Sequence, residues 1–298
     1  MKSKIALKNR FLSPIALHLF FLFSIVQFVY YAQNNSNPTL FFEWKKICNG
    51  LETAEFLAPK KSILGDSKIT VVKINPNHFE IEMHTAGNEK KKPYTVEQWS
   101  DSFRLNIVFN AAMYELSNPL KSRGYLKNKQ YLNKSEVHPS FNAAICFNPY
   151  QNDSPKMDIV DLTNTSISEL SKKYSCIVQS LRMIDHNGNP VFWKKKAQSC
   201  SMLVAAVDKD KNFYLIFCRS PYTHNEMIEF LIQFPTKLYN AIYLEGGPQT
   251  SLYIDLLLEN EELICIEKVG SFVSETYPTN KNMQFWELPN IIGLRLRK

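Results

Sequence analysis

The sequence predicts an α+β fold of mixed, largely antiparallel β-sheets with a few covering helices. Apolar residues come in short, strand-length runs, and few stretches show a 3.6-residue period. Glycine is scarce, at nine of 298 residues, so no glycine-rich linker or low-complexity tract is present. With 45% hydrophobic and 13% aromatic residues the chain buries a core, which excludes a disordered or fibrous protein. The absence of repeats at solenoid or propeller periods removes that class of scaffold.

Four basic residues, Lys2, Lys4, Lys8 and Arg10, precede an apolar stretch over residues 11–31 broken only by Ser13, Pro14, His18, Ser24 and Gln27. An apolar helix is expected there, as a signal peptide or an N-terminal membrane anchor over residues 1–32. Ala32 suits a cleavage site, whereas bulky Tyr30 two places earlier does not, and the apolar stretch reaches the ~20 residues of a spanning helix. In both cases the domain over residues 33–298 is expected beyond the membrane, in a periplasmic or other extracytoplasmic space, with the basic flank left behind. The formal charge of +7 falls to +3 (31 basic, 28 acidic) without those four residues. That is too little for a nucleic-acid protein, and the lysine runs at 90–92 and 194–196 read as solvated loops.

After a polar spacer over residues 33–38, runs at 69–74 and 79–83 flank Asn75-Pro76-Asn77 and predict a hairpin. Further strands are predicted over 105–109, 141–147, 177–184, 201–207, 213–217, 241–244, 263–266 and 291–296. Helices are predicted over 95–103 and 166–174, each opened by a Thr or Ser cap, and over 224–234, where Pro235 ends the period. Six cysteines, Cys48, Cys146, Cys176, Cys200, Cys218 and Cys265, allow 15 disulfide connectivities, among which the sequence does not choose. Several sit in apolar runs and read equally as buried small hydrophobes. No C-x-x-C or H-x-x-x-H spacing suggests a metal site, and no cofactor is expected.

The segment NAIYLEGGPQTSLY, residues 240–253, runs an apolar strand into a carboxylate, the chain's only adjacent glycine pair and a polar trio, then resumes as a strand. Gly246 and Gly247 allow close approach of a ligand to the backbone. Glu245, at the end of a buried strand, is placed where desolvation keeps a carboxyl protonated near neutral pH, as acid–base catalysis requires. The alternative is a tight turn with an ordinary glutamate.

This segment resembles the strand-plus-(D/E)GG-plus-Ser/Thr signature of the phosphodiester glycosidase family. The resemblance continues in order. Asn110-Ala111-Ala112-Met113-Tyr114 is similar to the family's NAGMF segment, and Arg123-Gly124-Tyr125-Leu126 to its GLYV segment. Residues 142–147, NAAICF, are similar to its NGVFF strand, and residues 179–184, QSLRMI, to its QSGPML strand. Cys218-Arg219-Ser220-Pro221-Tyr222 then precedes a helix leading back to the LEGG strand, as in the family's bacterial branch. Ala112 and Ala143 replace family glycines, and Ser201 or Met202 stands where many members carry an arginine.

The resemblance implies hydrolysis of a sugar joined through phosphate, with Glu245 as the functional acid. Arg123, Arg182 and Arg219 are the candidates to replace the missing arginine, since a guanidinium binds phosphate bidentately. Asp185, in Asp185-His186-Asn187-Gly188-Asn189, is the candidate second carboxylate, although it also suits a turn. Asn110 and Asn142 are candidates to bond sugar hydroxyls or an N-acetyl group, and Thr250 and Ser251 to donate to phosphate oxygens. Glu245 and the arginines are expected to share one cavity. The competing class is a non-catalytic carbohydrate-binding protein of the cell envelope that kept the fold.

Overall fold

A computed structural model describes residues 43–115, 117–194 and 198–297. The apolar segment expected over residues 1–32 lies outside the described residues. No helix among the described residues is long and apolar enough to cross a membrane.

The strands are β1 (Lys45–Cys48), β2 (Leu51–Leu57), β3 (Lys68–Ile74), β4 (Phe79–Thr85), β5 (Ile107–Asn110), β6 (Leu126–Asn128), β7 (Tyr131–Lys134) and β8 (Ala143–Pro149). They continue with β9 (Met157–Asp161), β10 (Tyr174–Ile184), β11 (Ser199–Asp208), β12 (Phe213–Thr223), β13 (Leu238–Gly246), β14 (Ser251–Leu257), β15 (Leu263–Val269) and β16 (Asn290–Leu296). The larger sheet runs β1-β2-β3-β12-β11-β13-β10-β6-β7, with β8 pairing β10 and β9. The smaller runs β15-β14-β5-β16-β4. The largely antiparallel pairing expected from the sequence is present, and among the described residues every strand pair in both sheets is antiparallel.

The two sheets bury a common core. Leu203, Ala205 and Val207 alternate along β11 toward the same cluster as Leu215, Ile242 and Leu244, and meet Phe109, Leu252, Ile254, Ile292 and Leu294 of the smaller sheet. Period-two patterning is what lets each strand give one face to this layer. Three helices, α1 (Val96–Phe103), α2 (Ile167–Lys173) and α3 (His224–Gln233), each open with a capping box, formed by Thr95/Gln98, Ser166/Glu169 and Thr223/Glu226. Each cap satisfies orphan N–H groups and contributes about 1 kcal/mol. Fully buried Trp99 anchors α1, its indole N–H donating to the Leu288 carbonyl at 3.0 Å.

The hairpin expected across residues 69–83 does not form. β3 pairs β2 and β12 in the larger sheet, whereas β4 pairs β16 in the smaller. Pro76–His78 forms a single 3-10 turn, capped by the Asn75 side chain, that carries the chain from one sheet to the other. Two apolar runs beside a turn look alike whether they pair or cross between layers. The turn at residues 185–189 does close a hairpin, with Asp185 N–H donating to the Asn189 carbonyl at 3.0 Å and a bridge from Ile184 to Pro190. All six cysteines carry free thiols, and Cys146, Cys176, Cys200 and Cys218 are buried.

Candidate active site

Strand β13 delivers Glu245 to the floor of a cavity of about 710 Å³, shared with Tyr114, Arg123, Trp193, His224 and Tyr243. Its pairing with β11 slips here: Tyr243 opposes Val204 and Glu245 opposes Leu203, so Leu244 is an extra residue. Such a bulge re-aims the side chains beside it, and Leu244 packs into the core while Tyr243 and Glu245 both line the cavity.

Glu245 is 9% exposed and its Oε1 accepts from the Gly246 N–H at 3.0 Å. Burial raises its pKa to about 7, against the opposing pull of that hydrogen bond and of Arg123. Burial, Glu245's charge and a counteracting bond to Gln249 set the Tyr114 phenol at about 12. Burial also holds His224 near 4, so its ring is neutral at pH 7. That ring stacks on Trp193 with centroids 3.9 Å apart and meets the edge of Tyr243 at 4.7 Å. Trp193 is fixed in turn: its N–H donates to Asn225 Oδ1 at 2.9 Å and its indole N–H to the Arg182 carbonyl at 3.1 Å. The result is a rigid aromatic wall beside a buried acid.

Two segments separated in the sequence form one loop of the site. Arg123 N–H donates to the Met113 carbonyl at 3.0 Å, Glu115 N–H to Lys121 at 2.8 Å, and Tyr114 bridges Ser122. This pairing sets Tyr114 and Arg123 on one rim. Among the described residues the Arg123 guanidinium has no hydrogen bond or ion pair, and Arg123 is exposed.

The glycine pair serves two ends. Gly247 has φ +76°, a left-handed conformation, and a Cβ there would also meet Val273. Gly246 is extended, with φ −139°, but a Cβ on it would overlap the Tyr243 hydroxyl and lie 2.9 Å from Cys200 Sγ. Gly246→Ala is therefore expected to destabilise the fold by about 1–3 kcal/mol through overpacking, read as a lowered denaturation midpoint. An unchanged midpoint would show that Tyr243 moves aside freely.

Other expected site residues lie elsewhere. Arg182 forms an ion pair with Asp161, which is 3% exposed and also contacts His186 Nδ1 at 2.9 Å, so Arg182 does not line the cavity. Arg219 donates to the carbonyls of Val269 at 2.6 Å, Asn280 at 3.0 Å and Asn282 at 2.7 Å, and borders a separate hollow with Asp66 and Lys68. Asp185 caps its own hairpin, accepting from the N–H groups of Asn187 at 2.9 Å and Asn189 at 2.8 Å, and does not line the cavity that holds Glu245. Asn142 is exposed and outside the cavity.

Asn110, Thr250 and Ser251 support the site without lining it. Asn110 Oδ1 accepts from Ser251 N–H at 2.8 Å and its Nδ2 donates to Gln249 O at 3.0 Å, fastening the glycine loop to β5. Ser251 Oγ donates to Gln249 O at 3.1 Å, and Thr250 is fully buried. Ser201 accepts from Ser271 and Phe272 N–H, both at 3.0 Å, and donates to Arg219 O. Ala112 and Ala143 pack in the core. Sequence reasoning passed over Trp193, His224, Tyr243 and Gln249; only Gln249 carried a local signal, as part of the polar trio.

The chain belongs to the phosphodiester glycosidase family, whose model matches residues 103–295. Its fold is similar to that of the zebrafish N-acetylglucosamine-1-phosphodiester alpha-N-acetylglucosaminidase catalytic domain, auto-inhibited by its pro-peptide, with TM-score 0.55 and 12% identity over 87% of this chain and 89% of that one. It is also similar to a hypothetical protein from Synechocystis, with TM-score 0.53 and 12% identity over 86% of this chain and 64% of the other. No curated protein matches at a significant level.

Proposed function

We propose that the protein is an exported hydrolase that cleaves the glycosidic bond to phosphate in a sugar phosphodiester. Family membership supports a glycosidase-type hydrolase in general. The observation that carries the finer reading is a buried carboxyl with a pKa of about 7 in the same cavity as Arg123, a cation without an ion pair among the described residues. Export rests on the basic-then-apolar order of the first 32 residues.

In such a diester the leaving group is a phosphate ester, a weak base that departs without prior protonation. The demand therefore falls on the attacking water. The Glu245 carboxylate takes a proton from water, the oxygen bonds to the anomeric carbon, and the C–O bond breaks with its electron pair leaving on the phosphate. Arg123 offsets the charge gathering there. Glu245 then returns its proton to solvent. Glu115 is the other carboxylate at the cavity, but Lys134 holds its Oε1 at 2.7 Å.

The test is turnover of aryl sugar phosphodiesters beside plain aryl glycosides. Hydrolysis confined to the diesters supports the reading; glycan binding with no turnover of either would leave a binding protein. Arg123→Ala is expected to lower kcat/KM for a diester by about 10- to 100-fold, the worth of a charge-assisted contact, with partial recovery in Arg123→Lys. An equal loss on the neutral glycoside would take phosphate binding away from Arg123.

A further inference from the structure

Among the described residues the two sheets end in the edge strands β1, β7, β9, β4 and β15, and all but β15 are guarded against further pairing. β1 and β7 are each four residues long and slip register against their neighbour. On β9 the Asn240 side chain donates to the outward Ile159 carbonyl at 2.8 Å. On β4 the side chains of Asn128 and Asn148 do the same for the Met83 and Ile81 carbonyls, at 2.8 and 2.9 Å. β15 has no such device: its seven residues, LICIEKV, pair with β14 in unbroken register and include no proline. We propose that β15 is where two copies of this chain associate, pairing edge to edge and antiparallel about a twofold axis at Cys265.

The backbone supplies a short strip of free donors and acceptors. At the two ends of the β14–β15 ladder, Gly270 N–H donates to the Thr250 carbonyl at 2.7 Å and Leu258 N–H to the Glu262 carbonyl at 2.9 Å. Even-numbered residues of β15 therefore turn their backbone groups to β14, and alternation turns those of Leu263, Cys265 and Glu267 outward. The strip ends at Val269, whose carbonyl accepts from the Arg219 guanidinium at 2.6 Å. An axis at Cys265 uses this strip completely. Cys265 then meets its own copy, and Leu263 meets Glu267 of the second copy, each pair exchanging both backbone hydrogen bonds. The two smaller sheets become one continuous sheet.

The side chains select a second copy as the occupant, because in this register the strand complements itself. Ile264 falls opposite Ile266, and both are half-buried and already pack against the core, so the apolar layer continues across the axis. Glu262 falls opposite Lys268, and symmetry makes this opposition twice. Glu262 has no ion pair among the described residues, while Lys268 shares Glu55, at 3.5 Å, with Lys68, at 3.2 Å. Neighbouring registers lose the match. An axis at Ile264 sets Glu262 against Ile266, an axis at Ile266 sets Ile264 against Lys268, and an axis at Glu267 sets two like charges face to face. On the outer face, exposed Leu263 gains the stem of Glu267 as cover.

The test is the mass of the full chain in mild detergent by sedimentation equilibrium, together with cross-linking by a short bismaleimide. Wild type is expected to be a dimer that cross-links through exposed Cys265, since residues opposed in this way have Cα atoms about 5.5 Å apart. Cys265→Ser should lose the cross-link at unchanged mass. Glu267→Pro removes one outward N–H, which an edge strand tolerates, and is expected to give a monomer with unchanged far-ultraviolet circular dichroism. Should that variant fail to fold, Glu262→Lys carries the test. It turns two attractions into two repulsions and is expected to weaken association about tenfold, and adding Lys268→Glu should recover most of the loss. A monomeric wild type, a cross-link that survives Cys265→Ser, a dimer indifferent to Glu267→Pro, or a double variant no tighter than Glu262→Lys each overturns the proposal.

Discussion

Glu245→Gln is expected to cut diester turnover at least ~100-fold, the lower scale for an acid–base group, and at the same time to make the protein more stable at pH 8. Both effects have one cause. Burial raises the Glu245 pKa from 4.5 to about 7, so the folded state holds its proton over a range where the unfolded chain has released it. Stability from this residue is complete below pH 4.5, falls as pH rises toward 7, and above 7 stays lower by about 3 kcal/mol. Glutamine keeps the shape and has no charge to bury. The two proteins should therefore unfold alike at pH 4 and diverge by pH 8, which denaturant titration at the two pH values measures. In the wild type, kcat/KM should rise with pH through about 7 as the carboxylate forms. Near-normal turnover in the variant would remove Glu245 from the mechanism, and a rate that falls through pH 7 would make it the acid rather than the base.

Glu245 was legible in the sequence because its signal is local: an apolar strand ends in a charge followed by two glycines, and a strand end next to a turn fixes both position and burial. Arg123 was legible only as one of three candidates. What separates it from Arg182 and Arg219 is which group each guanidinium meets, and those partners are distant in the chain. Asp161 lies 21 residues from Arg182, and the carbonyls that hold Arg219 lie 50 to 63 residues beyond it. The stacked pair Trp193 and His224 left no trace for the same reason, since a hairpin tail and a helix start meet only in the folded molecule. The strand runs were readable from their period, whereas the sheet each one joins was not. Residues 69–74 and 79–83 look like arms of one hairpin and yet sit in opposite sheets, because alternation specifies a buried face without naming the strand that hydrogen-bonds to the edge.

Arg182→Ala is expected to destabilise the protein by roughly 3 kcal/mol and to leave turnover per folded molecule unchanged, the opposite division from Glu245→Gln. Arg182 and Asp161 are 13% and 3% exposed, so truncating the arginine strands a buried carboxylate without its cation. Two features hold the loss to the low end of the range for a broken buried pair. His186 and Thr163 still bond Asp161, and the Arg182 Nε is buried without an acceptor, so its removal ends an existing cost. The pH dependence identifies the partner. Burial raises the Asp161 pKa, but hydrogen bonds from Thr163 and His186 and the charge of Arg182 outweigh it and hold the carboxyl well below the usual range. The stability this provides is present above the ordinary value of 3.8 and is lost as pH falls through the depressed folded value. The gap between wild type and Arg182→Ala should therefore be constant from pH 5 to 8 and narrow below about pH 4, where protonation of Asp161 leaves the arginine nothing to pair with. Denaturation midpoints across that range measure it. A large loss of diester turnover at undiminished stability would instead return Arg182 to the phosphate site, and the ion pair with Asp161 would then be a resting state that substrate breaks.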